Sequence, residues 1–162
     1  LDFIRDSGVQ FIWQTGKFYI DDARRRVAQF GDLPMLHVTD FIARMELAYS
    51  AADLVISRAG AGSISEFCLL SKPVILVPSP NVAEDHQTKN ALALVNKDAA
   101  LYVKDGEAQE KLLRTAVEAV GDNALLHTLS ENIAKLAFIN SADRIADEVL
   151  KLAETYRNHH GY

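Results

Sequence analysis

Asp53-Leu-Val-Ile-Ser-Arg-Ala-Gly-Ala-Gly-Ser-Ile-Ser-Glu66 passes from a short apolar run, through two glycines, into a helical pattern. Asp53–Ser57 is brief, β-branched and bounded by polar residues, as a strand buried in a parallel sheet should be. Gly60 and Gly62 let the backbone approach a ligand closely, and the first N–H groups of the following helix favour an anion. A phosphate therefore fits near Gly62–Ser63. The segment is not a Walker A loop, because no Lys follows the glycines, and Ser65 stands where the third glycine of a G-x-G-x-x-G fingerprint belongs. A plain strand-to-helix turn accounts for two glycines equally well. Ser63-Ile-Ser-Glu66 also fits the S-x-x-E capping box, whereas a binding role gives Glu66 a ribose, its two oxygens accepting from vicinal hydroxyls.

The same alternation extends in both directions. Strands are expected at Val9–Trp13, Met35–Thr39, Asp53–Ser57, Val74–Pro78 and Ala100–Val103, with helices at about Phe18–Phe30, Ile42–Ala51, Ser63–Leu70 and Asp85–Lys97 between them. After the last strand the pattern is helical only, at about Gly106–Val120, Leu125–Ala137 and Ser141–Tyr156. This order describes a doubly wound, parallel, Rossmann-like α/β sheet with a helical C-terminal tail. There is no internal repeat or linker-like stretch, so a single domain is expected. Leu1–Ser7 reads as the end of a helix stopped by Gly8. Such a start suggests either a chain cut inside an α/β unit or a surface helix packed at the sheet edge.

Composition narrows the function classes. The 162 residues favour one domain, able to bury roughly 70% of its unfolded surface. A composition 49% hydrophobic and 24% charged argues against disorder. Seventeen Lys+Arg against 22 Asp+Glu give a net charge of −5, which disfavours a nucleic-acid partner. The single Cys68 rules out an internal disulfide and any cysteine zinc cluster, and its apolar neighbours mark it as a small core residue. Without a basic leader or an apolar run of the ~20 residues that span a bilayer, a soluble, cytosolic chain is expected.

In open α/β sheets ligands lie beyond the C-terminal ends of the strands. Besides the glycine loop, three segments fall there. Pro78-Ser-Pro-Asn-Val-Ala-Glu-Asp-His-Gln-Thr-Lys-Asn90 places hydrogen-bonding groups where a helix begins. His86 and Gln87 can face a sugar's hydroxyls, with Asn90 one turn on. The plainer reading, favoured by the residues alone, is a solvated helix start capped by Glu84 or Asp85. Phe41 and Ile42 either flank a planar ring, with backbone groups reading its edge, or pack into the core; core packing is the simpler choice. Gln14-Thr-Gly-Lys17 offers a surface turn with one cation. Arg24-Arg25-Arg26 lies opposite the apolar positions Ile20, Ala23, Val27 and Phe30, as a solvated face does. No His has a neighbour at metal-ligand spacing, and neither D-x-D nor G-x-S-x-G occurs, so no metal and no hydrolase nucleophile is expected.

Taken in order, Gln14-Thr-Gly-Lys17, Thr39-Asp-Phe-Ile42 with Ala51-Ala-Asp-Leu-Val55, Ser57-Arg-Ala-Gly-Ala-Gly-Ser-Ile-Ser-Glu66 and Glu84-Asp-His-Gln-Thr-Lys-Asn-Ala91 resemble the C-terminal half of the MurG family. These are the UDP-N-acetylglucosamine–N-acetylmuramyl-(pentapeptide) pyrophosphoryl-undecaprenol N-acetylglucosamine transferases of peptidoglycan synthesis. The resemblance implies a UDP-sugar-binding domain over residues 1–162, the C-terminal half of a GT-B glycosyltransferase, inverting and independent of metal or other cofactor. It assigns uracil to the Ile42 backbone beside Phe41, the diphosphate to Gly62 and Ser63, the ribose to Glu66, and the GlcNAc hydroxyls to His86 and Gln87. Some relatives carry Gln in place of His86. Lys17, Arg58, Gly60 and Asn90 belong to the motifs without an assigned role.

Two departures matter. The family's domain begins with a strand and a Gly-rich loop that also holds the diphosphate, and these residues start in the helix that would follow. The acceptor domain, with the His expected to act as general base toward the lipid-linked MurNAc-pentapeptide, is absent as well. The expectation is thus a piece that recognises UDP-N-acetylglucosamine, holds no catalytic base, is inactive alone and is exposed to homodimer formation. The resemblance places the whole protein peripherally at the cytoplasmic face of the bacterial inner membrane. Competing readings are another GT-B transferase or a UDP-GlcNAc epimerase half, and a non-catalytic α/β interaction module. The Glu84–Asn90 loop argues against the former, and the lack of clustered acidic residues at strand ends argues against a receiver-like module.

Overall fold

A computed structural model describes residues 1–80, 85–138 and 141–160, the last stretch with side chains over 146–156. The elements follow in the order α1 (Asp2–Asp6), β1 (Phe11–Gln14), α2 (Ile20–Phe30), β2 (Leu36–Thr39), α3 (Met45–Ala51), β3 (Val55–Ser57), α4 (Ala61–Leu69), β4 (Val74–Leu76), α5 (His86–Val95), β5 (Leu101–Tyr102), α6 (Ala108–Val120), α7 (Asn123–Ala134) and α8 (Ser141–His160). A short 3-10 turn at Asp105–Glu107 leads into α6.

All strand pairing is parallel, and each pair is connected through a helix, as the geometry of a βαβ unit requires. The strands form two hydrogen-bonded groups, β1-β2 and β3-β4-β5, rather than one continuous ladder. Among the described residues no strand pairs with the second edge of β1 or of β3.

β4 shows why the sequence reads as doubly wound. Val74, Ile75 and Leu76 are fully buried, and successive side chains point to opposite faces. Val74 and Leu76 join Phe67 and Cys68 of α4, Ala91 and Leu94 of α5 and Ile133 of α7. Ile75 and Val77 meet Val103 and Ala116 on the other side. A third cluster, Ile4, Leu33 and Leu36 with Phe11, Val27 and Phe30, fastens α1 and α2 to β1 and β2. Leu113 of α6 packs against this third cluster while Leu112 and Ala116 serve the second, so α6 ties the two strand groups together.

Several boundaries have local causes. Gly31, at φ 112°, stops α2 in a conformation that L side chains rarely adopt. Asp122 caps α7, its carboxylate accepting from the Leu125 N–H at 2.9 Å. Among the described residues no helix is long and apolar enough to cross a membrane.

Candidate functional site

The segments after β1 and β2 are held side by side. Thr15 N–H donates to Thr39 O at 2.9 Å and Gly16 N–H to Asp40 O at 3.1 Å. Gly16 turns at φ 77° and leaves Lys17 exposed beyond it. Ile42 N–H donates to Gln14 Oε1 at 2.9 Å. The backbone donor expected to read a base is therefore occupied by a side chain that sequence reasoning passed over. Phe41 does not pack in the core: it is 65% exposed, because α3 starts only at Met45 and no helix draws it inward. Its ring stands at the sheet's C-terminal edge, with Ile42 half-buried beside it.

The glycine loop behaves differently from a capping box. α4 begins at Ala61 with Gly60 as N-cap, three residues earlier than the S-x-x-E pattern requires, and no side chain caps it. Its first internal bond runs from Ile64 N–H to Gly60 O at 3.0 Å, so the helix itself leaves the Ala61, Gly62 and Ser63 N–H groups unused. A Cβ built on Gly60 or Gly62 would meet nothing within 4 Å, so open space adjoins the two glycines. Ala59, just before them, is completely buried and anchors the loop.

Glu66 is exposed on the second turn of α4 and accepts from the Tyr49 hydroxyl, Oη to Oε2, at 3.3 Å. Burial first, and then the Glu66 charge and hydrogen bond, push the Tyr49 phenol above its ordinary pKa. Burial likewise raises the Cys68 thiol, which lies in the core as expected.

Arg58 sits at the end of β3 and reaches across the sheet. Its Nη1 donates to Val77 O at 3.2 Å, to Pro78 O at 3.4 Å and to Asp105 Oδ1 at 2.5 Å. It therefore braces the C-terminal ends of β3 and β4 against the turn after β5. The residues nearby, including Pro78, Thr88, Tyr102 and Asp105, line a cleft of about 610 Å³.

At the start of α5, Gln87 Oε1 accepts from Ser79 N–H at 2.9 Å, which leaves its amide NH₂ as the outward donor. Asn90 donates to Ala59 O at 3.2 Å and so joins α5 to the glycine loop. His86 is exposed in the first turn. Asp85 takes the left-handed conformation at φ 55° and makes no side-chain cap, contrary to the capped start expected for it. Glu84 lies outside the described residues.

The site residues thus fall into two groups at the strands' C-terminal ends. Lys17, Phe41 and Ile42 follow β1 and β2; Arg58, Gly60, Gly62, Ser63, Glu66, His86, Gln87 and Asn90 follow β3 and β4. α3 connects them, since it begins three residues after Ile42 and delivers Tyr49 to Glu66. Gln14, Tyr49 and Asp105 were not found by sequence reasoning. Gln14 and Tyr49 stood in or beside quoted motifs, yet their partners lie 28 and 17 residues away.

Parallel βαβ units with the candidate site residues at the strand C-termini define a Rossmann-like α/β domain. Over residues 2–149 the sequence matches the glycosyltransferase family 28 C-terminal domain, and the chain belongs to that family. It is 72% identical, over 99% of its length and 43% of the relative's, to the UDP-N-acetylglucosamine–N-acetylmuramyl-(pentapeptide) pyrophosphoryl-undecaprenol N-acetylglucosamine transferase of Phocaeicola vulgatus. The protein of that name from Bacteroides thetaiotaomicron is 66% identical over 92% of this chain and 40% of its own. The crystal structure of Acinetobacter baumannii MurG superposes with a TM-score of 0.77 at 25% identity, covering 91% of this chain and 46% of that one. The chain spans about two-fifths of the length of the curated relatives it matches.

Proposed function

We propose that these residues bind the donor UDP-N-acetylglucosamine for a transferase that passes GlcNAc to the 4-hydroxyl of undecaprenyl-pyrophosphoryl-MurNAc-pentapeptide, with inversion and without a metal. The observation that carries this reading is the opening of α4. Three N–H groups left unused by the helix lie at Ala61, Gly62 and Ser63, where a Cβ added to Gly60 or Gly62 would meet no neighbour, with Glu66 one turn further along.

In this reading Gly62 and Ser63 hold the diphosphate and Glu66 holds the ribose. The base displaces Gln14 Oε1 from Ile42 N–H and lies beside Phe41. His86 and the Gln87 amide face the sugar. The acceptor oxygen attacks C1 as the C1–O bond to UDP breaks, and the charge gathering on the diphosphate meets preorganised N–H donors and the α4 dipole. The acceptor and its general base belong to a part of such proteins outside these residues, so the 162 residues alone give no turnover.

Peripheral attachment at the cytoplasmic face of the inner membrane and self-association of the chain belong to the same proposal. The undecaprenol-linked acceptor named for the relatives supports the former, and strand edges unpaired among the described residues support the latter.

Amide shifts followed by NMR during titration with UDP-N-acetylglucosamine and with UDP test the reading. Both ligands should shift Phe41–Ile42 and Gly60–Glu66, and the sugar nucleotide should add His86 and Gln87. Gln87→Ala should weaken UDP-N-acetylglucosamine by about tenfold, the value of one well-placed neutral hydrogen bond, and UDP far less. A folded sample that shows no shifts with either ligand overturns the proposal.

A further inference from the structure

We propose that Tyr49 is a positioning residue: its hydroxyl fixes the Glu66 carboxylate for a vicinal diol and thereby makes the site select ribonucleotides over 2′-deoxyribonucleotides. This rests on the reading that Glu66 binds ribose.

An exposed glutamate on a helix surface has three rotatable bonds and samples many directions. Glu66 has a partner that restricts it, from a different element. Tyr49 comes from α3, 17 residues earlier, and donates to Oε2 at 3.3 Å. The phenol ring is itself held, packing edge-on against Phe67 with ring centroids 5.7 Å apart and planes at 85°. Phe67 belongs to the main core cluster, against which Tyr49 packs. The chain of support therefore runs from the core, through a rigid aromatic side chain, to one carboxylate oxygen.

An ionised carboxylate accepts about four hydrogen bonds, so one donor on Oε2 leaves Oε1 wholly available to two neighbouring hydroxyls. The direction of the Tyr49 pKa shift keeps the phenol protonated, and hence a donor, throughout the neutral range. The arrangement sets Glu66 before the ligand arrives, and only a ligand carrying both hydroxyls uses it fully.

Binding of UDP and of 2′-deoxy-UDP is measured calorimetrically for the unaltered chain, Tyr49→Phe and Glu66→Ala, with the thermal midpoint of each recorded. The unaltered chain should prefer UDP by about tenfold or more, as a site built around a hydroxyl does. Glu66→Ala should erase that preference. Tyr49→Phe keeps the ring against Phe67, so the midpoint should hardly move, while the preference falls by about threefold or more through weaker UDP binding alone. A full preference in Tyr49→Phe, with loss only in Glu66→Ala, overturns the role of Tyr49 and leaves Glu66 as the ribose ligand. An unaltered chain with no preference, or a Glu66→Ala variant that retains it, removes both. A loss of affinity in Tyr49→Phe that is equal for the two nucleotides marks a merely structural tyrosine and also overturns the proposal.

Discussion

The Tyr49 phenol should titrate above its ordinary value, because burial disfavours the phenolate and Glu66 adds a like charge beside it. Glu66→Gln removes the second cause and leaves the first, which is the larger, so the pKa should fall part of the way toward its ordinary value. A difference titration by near-ultraviolet absorbance, with Tyr49→Phe as the blank, measures this; no change in Glu66→Gln would mean that the carboxylate is not beside the phenol in solution. The linkage to stability has a definite sign. A pKa raised by folding contributes stability that is complete below the ordinary phenol value and is lost as pH rises through the folded value. Tyr49→Phe should therefore resist alkaline unfolding better than the unaltered chain. Glu66 itself shows what one residue's neighbours in sequence can and cannot tell. Its spacing from Ser63 fits a capping box, but Gly60 takes the N-cap position and the carboxylate turns to a tyrosine on another helix. Local pattern carries information about local bonds only, and this bond spans 17 residues.

The loops at the strand ends are fastened to one another by a few side chains, and the element scale is where their loss should be felt. Arg58 joins the ends of β3 and β4 to the turn after β5. Its side chain and that of Asp105 are both partly open to water, so the ion pair itself contributes little; the backbone carbonyls it serves matter more. Arg58→Ala should cost about 1–2 kcal/mol, read from denaturant midpoints, and Arg58→Lys should restore only a part because its ammonium sits one bond short of the Nη1 that makes all three bonds. Asn90→Ala leaves the carbonyl of the fully buried Ala59 without its side-chain donor and should cost about 1 kcal/mol or more. Both variants remaining as stable as the unaltered chain would show that the loops need no such bracing. The strands and helices joined by these bonds were largely legible. Short apolar runs, expected as strands, hold β1 to β5, and Ile20, Ala23, Val27 and Phe30 repeat at helical spacing along α2. The ends were less legible, because helix starts depend on backbone geometry: α3 begins at Met45 rather than Ile42, and α4 at Ala61 rather than Ser63.

For the molecule as a whole, alternation of strand and helix indicates a parallel α/β fold, but it says nothing about which strands share a hydrogen-bonded ladder. That depends on pairings between distant segments, and here they divide into β1-β2 and β3-β4-β5, joined by the packing of α6. The division has a physical consequence. A parallel strand with an unpaired edge presents a row of free N–H and C=O groups, the usual template for pairing with another chain. β1 and β3 each have such an edge among the described residues, and their side chains are unusually apolar for exposed positions: Ile12 is 55% exposed, Trp13 46% and Ile56 38%. A net charge of −5 over 162 residues opposes association only weakly at physiological salt, where charges beyond about 8 Å are screened. Sedimentation velocity should therefore find a monomer–dimer equilibrium that shifts with concentration. Trp13, the single tryptophan, reports directly on the β1 edge, and its emission should move to the blue as concentration rises. Ile12→Lys places a charge on that strand and should shift the equilibrium to monomer, while changing intrinsic stability by no more than about 0.5 kcal/mol because the position is exposed. A chain that sediments as a monomer at every concentration, with an unchanging Trp13 spectrum, would mean that neither edge pairs and that packing through α6 is enough to protect them.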